Sequence, residues 1–90
     1  MSEKSKAKGN LTPEQQEAAI LLKSIWDKRK SEWGFTQTEA EKATNISQSS
    51  ISSYLNGRYG MGPKMALRFA KFLKVPVSTL MPSLAYLDQS

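Results

Sequence analysis

Apolar residues recur at three- and four-residue intervals along most of this chain, and polar turn residues break the pattern into short segments. Ala18, Leu22, Ile25 and Arg29 share one helical face, Arg29 through its aliphatic stem, and Ala19, Leu21 and Trp26 widen the stripe. Ahead of them Thr12-Pro13-Glu14-Gln15 reads as a helix start. Thr12 can cap, Pro13 suits the first helical position, where no N–H is needed, and Gln15 completes a capping box. The pattern predicts a first helix over about 13–31, with Lys28, Arg29 and Lys30 complementing the dipole at its end and Gly34 terminating it.

Thr36 and Glu39 have capping-box spacing, and Phe35 stands where a hydrophobic staple belongs, so a second, short helix follows at once. Ala40 and Ala43 are expected to face inward, and Asn45 can adopt the left-handed backbone of a tight turn. Ser47 then caps a third helix over about 48–55, with Ile51 and Leu55 buried one turn apart and Asn56-Gly57 as the stop. Gly62-Pro63 opens a fourth, with Ala66, Phe69, Ala70 and Leu73 on one side and Lys64, Arg68, Lys71 and Lys74 forming a solvated face; Val75-Pro76 ends it. A fifth helix is expected to begin near Pro82 and to be cut short at Ser90.

No strand pattern intervenes, so the fold class is all-α, a compact five-helix domain over residues 11–90 in which 37–55 has helix-turn-helix spacing. Ninety residues allow one small core. Residues 1–10 are too polar to order themselves and read as a flexible basic arm carrying Lys4, Lys6 and Lys8, either a passive tail or an arm that embraces a partner. No apolar run approaches the roughly 20 residues of a membrane span, which points to the cytoplasm.

The chain has no cysteine and no histidine, which removes disulfides, thiolate and imidazole metal sites, and most nucleophilic and acid–base catalysis. Neither an enzyme nor a cofactor is expected. The net charge of +5 suggests an anionic partner, and its distribution matters more: between Glu41 and Asp88 there is no acidic residue, while Lys42, Arg58, Lys64, Arg68, Lys71 and Lys74 fall there.

The third helix is the unusual element. An ordinary surface helix carries Glu and Lys, yet this one presents Gln48, Ser49, Ser52 and Ser53, all neutral groups that donate and accept hydrogen bonds. Glutamine can grip adenine through two hydrogen bonds in the major groove, so this face suits the edges of DNA bases. Tyr54 is expected to pack at the edge of the core.

The segments LTPEQ, LLKSIWDKRKSE, WGFTQ, NISQSSISSYLNG, FAKFLKV and MPSLA together resemble the N-terminal DNA-binding domains of lambda-type phage repressors, in the wider Xre/Cro class. The resemblance implies a five-helix, lambda-repressor-like domain that binds double-stranded DNA in the bacterial nucleoid and represses transcription from a palindromic operator. It assigns base reading to Gln48, Ser49, Ser52 and Tyr59. Phosphate contacts and positioning fall to Gln37, which also braces Gln48, and to Lys23, Trp26, Lys30, Asn56 and Arg58, with Trp26 both packing and donating. Lys4, Lys6 and Lys8 would wrap the duplex. Family members usually have a small residue where Glu41 stands and a glycine where Asn45 stands. Glu41 must therefore escape sideways or find a partner.

Such repressors bind as homodimers, for which Leu80, Met81, Leu84 and Leu87 are candidate contacts; core packing accounts equally well for the first three. Full-length relatives often add a C-terminal dimerisation and self-cleavage domain, which is not visible in this chain. Two other classes fit the same fold: an antitoxin-like or protein-interaction regulator, which needs an exposed apolar patch, and a non-specific nucleic-acid packaging protein.

Overall fold

The computed structural model describes residues 11–89, so Lys4, Lys6 and Lys8 lie outside the described residues. Five α-helices follow in order: α1 Pro13–Trp33, α2 Gln37–Thr44, α3 Gln48–Leu55, α4 Pro63–Leu73 and α5 Val77–Leu80; a 3₁₀ segment covers Pro82–Gln89. The described residues contain no strand, and none of their helices is long and apolar enough to cross a membrane.

The ends of the helices follow from local chemistry. Thr12 Oγ1 accepts from the Gln15 N–H and Gln15 Oε1 accepts from the Thr12 N–H, both at 3.1 Å, so the capping box at α1 is closed. The same reciprocal pair, Thr36 with Glu39, starts α2 at 2.9 and 3.1 Å. Gly34 ends α1 at φ 67°, a conformation a Cβ would strain. Each cap satisfies N–H or C=O groups that the helix itself leaves without partners.

The core lies where α1 packs against α3, α4 and α5. Trp26 is its hub: the ring meets Phe35 and Phe69 nearly edge-on, at centroid distances of 5.2 and 6.0 Å, and Phe72 at a tilt, at 5.6 Å. Leu22, Ala66, Leu73 and Leu80 are fully buried around it. Two arginines tie this core to its frame. Arg29 Nε donates to the Leu73 carbonyl at 2.9 Å, satisfying the C-terminal end of α4, and Arg68 Nη1 donates to the Asn45 carbonyl at 3.3 Å. The Arg29 head is thus engaged as well as its stem, and Arg68 anchors the α2–α3 turn instead of standing wholly in solvent.

Three expectations need correction. Ala43 is exposed, and Thr44 takes the inward place four residues after Ala40. A hydroxyl can be buried there because it donates to the Ala40 carbonyl at 2.8 Å and accepts from the Ile46 N–H at 3.2 Å. At the C-terminal end Pro82 opens a 3₁₀ segment, not an α-helix, with non-helical angles at Leu84, and the one-turn α5 precedes it. Glu14 holds that segment through the Ser83 N–H and hydroxyl at 2.8 and 2.7 Å, while Asp88 accepts from the Val77 N–H at 2.9 Å. The third concerns the dimer candidates. Leu80, Met81 and Leu84 are buried in the core and have no free surface to offer a second copy; Leu87 is half-buried.

Candidate nucleic-acid interface

The α2–α3 unit is built around its turn. Asn45 takes φ 62° and ψ 33°, and its N–H donates to the Glu41 carbonyl at 2.8 Å, which closes α2 and redirects the chain. Ser47 then accepts from the Ser50 N–H at 3.3 Å to start α3. Ile51, buried, pins α3 to the core, and Tyr54 packs edge-on against Phe69 at 5.7 Å. With those side chains inside, the helical repeat turns Gln48, Ser49 and Ser52 to the surface, where all three are exposed. Ser53 is half-buried, and Ser50 is engaged by the Ser47 hydroxyl at 3.0 Å.

The exposed face is a small network. Asn56 Nδ2 donates to Ser52 Oγ at 3.3 Å, which joins the C-terminal cap of α3 to the middle of its outer face. Gln48 Nε2 donates to Glu41 Oε1 at 3.1 Å. Glu41 thereby has the partner that its position requires, and Gln48 is braced by Glu41 rather than by Gln37. Gln37 is exposed at the start of α2. Tyr59 is 51% exposed and packs edge-on against Tyr54 at 5.4 Å, so its ring is held in place at the surface just after α3; Arg58 beside it is exposed.

The structure brings part of the expected phosphate set together. Lys23 and Asn56 line one groove with Ile20, Leu55 and Gly57, between α1 and the end of α3. Lys23 pairs with Asp27 at 3.0 Å, an exposed contact of the kind that contributes little and exchanges readily for another anion. Lys30 is exposed in the last turn of α1. Trp26 departs from this row. It is 4% exposed, so its ring serves the aromatic core, and Lys23 and Lys30 remain as the exposed members of the α1 set.

The bonds of Arg29, Arg68 and Glu14 have no counterpart among the sequence expectations. A basic side chain near a helix C-terminus is a signal for Arg29; the other two join residues 23 and 69 positions apart, which no local pattern reveals.

What this surface can do chemically is limited and clear. It offers amide and hydroxyl groups in its middle, with Lys23 of α1 beside its C-terminal end, and neutral groups of that kind match base edges while cations match phosphates. A family model described as helix-turn-helix matches residues 27–80, from within α1 to the end of α5, which is more than half of the chain. The turn at Asn45 and the two capped helices around it fall inside that span. With motif, turn geometry and outer face in agreement, the chain belongs to the helix-turn-helix family of DNA-binding domains that regulate transcription.

Proposed function

We propose that this domain is a repressor that reads a palindromic operator as a homodimer, with α3 in the major groove of each half-site. One observation carries the reading: directly after the Asn45 turn, α3 turns outward Gln48, Ser49 and Ser52, uncharged donors and acceptors, where a merely solvated helix would carry charge. Tyr59 adds a base contact from the following loop. Lys23, Lys30, Asn56, Arg58 and Gln37 set affinity and register through phosphates, and Lys4, Lys6 and Lys8 wrap the duplex. Repression follows from occupying DNA that overlaps a promoter. Two copies would place their α3 helices about one helical turn, ~34 Å, apart.

Selection of bound duplexes from a random pool tests this reading. A palindromic consensus with half-sites one turn apart is expected. No enrichment would overturn it in favour of packaging, and an enriched single half-site would remove the dimer.

A further inference from the structure

Gln48 does not stand free at the head of α3, because its amide nitrogen is held by the half-buried Glu41 across the turn, at 3.1 Å. A carboxylate accepts hydrogen bonds and cannot donate them, so only the nitrogen end of the Gln48 amide can face it. Flipping the amide would set its carbonyl oxygen against the carboxylate, acceptor against acceptor. The charge on Glu41 strengthens the favoured arrangement, since bonds to an ionised acceptor are stronger than neutral ones. Oε1 of Gln48 is thereby fixed as the acceptor end offered to a partner, with the second N–H beside it.

We propose that Glu41 is a positioning residue that determines specificity: it locks the Gln48 amide with Oε1 toward a base that donates. In the major groove adenine N6 and cytosine N4 donate, whereas guanine offers N7 and O6 and thymine offers O4, all acceptors. Adenine or cytosine is therefore favoured on the contacted strand. The Glu41 charge works in the same direction, because a carboxylate near the groove repels acceptor-rich guanine. This inference rests on α3 reading bases, and it adds which bases Gln48 accepts and why.

The test uses the full chain and a set of duplexes that differ at single base pairs of the selected site, with Kd measured for each. Gln48→Ala identifies the base pair that Gln48 reads, as the one whose preference it abolishes. At that pair the parent protein is expected to favour adenine or cytosine over guanine on the order of tenfold. Glu41→Gln keeps the size of the side chain but can donate as well as accept, so it releases the lock. It is expected to narrow the ratio to within about threefold, with the unfolding midpoint unchanged, and to change nothing further when Gln48→Ala is already present. Glu41→Ala removes the partner outright and is expected to give the same narrowing, so a folding defect in one variant leaves the other decisive. A full ratio retained in both variants, or guanine preferred by the parent, would overturn the role of Glu41 while leaving Gln48 as a base reader. Gln48→Ala with no altered preference anywhere would overturn base reading itself, and this inference with it.

Discussion

Asn45 is the residue on which the orientation of α3 depends. At φ 62° it occupies the left-handed region that most side chains avoid, and asparagine tolerates it because a short polar side chain has little to clash with. Its carbonyl is claimed by Arg68, so the turn is bonded into the core side of the domain as well as bent. A β-branched residue would be strained in this conformation whereas glycine would not. Asn45→Val is expected to destabilise the fold by about 1–2 kcal/mol in urea unfolding, and Asn45→Gly to leave stability nearly unchanged. Equal losses in the two variants would show that the asparagine side chain, and not the backbone angle, holds the turn. Glu41 and Gln48 act at the same scale: seven residues apart in sequence, they meet only because this turn brings the ends of α2 and α3 together.

Among the elements, α2 is one that buries no large apolar side chain of its own. Its eight residues bury only Ala40 and Thr44, so capping has to supply what packing does not. Thr36→Ala opens the box at α2 and is expected to cost about 1 kcal/mol of stability, seen as a lower unfolding midpoint. A midpoint equal to the parent's would mean that Phe35 and Ala40 alone secure the helix. The elements whose signals are local are legible in the amino-acid sequence: the caps Thr12, Thr36 and Ser47, the stops at Gly34 and Asn45, and Gln48, Ser49 and Ser52 on the outward face of α3 stand where the spacing puts them, whereas Ser53 and Leu55 are half-buried. What is not legible there depends on particular hydrogen-bond partners. Ala43 and Thr44 differ by one position, and only the bonds of the Thr44 hydroxyl to Ala40 and Ile46 make the polar residue the buried one. The C-terminal segment is likewise held by Glu14, from the other end of the domain, and its apolar residues are equally consistent with a core or a contact until the burial of Leu80, Met81 and Leu84 decides.

For the whole molecule, the net charge is +5 and the stretch from Lys42 to Leu87 holds no carboxylate, which favours a polyanion, while the residues proposed to read bases, Gln48, Ser49, Ser52 and Tyr59, are themselves uncharged. Affinity and specificity should therefore respond to different variables. With roughly 6–10 phosphate contacts, binding is expected to weaken about 10³- to 10⁵-fold between 50 and 200 mM salt, as measured by a titration series. A flat response would remove the phosphate set. Specificity, on the proposed reading, belongs to α3, and its most direct measurement compares Gln48→Ala with the parent on the selected site and on random duplex at one salt concentration. A loss of about 1–3 kcal/mol on the selected site with little change on random DNA is the predicted result. Equal loss on both sequences would contradict base reading by α3.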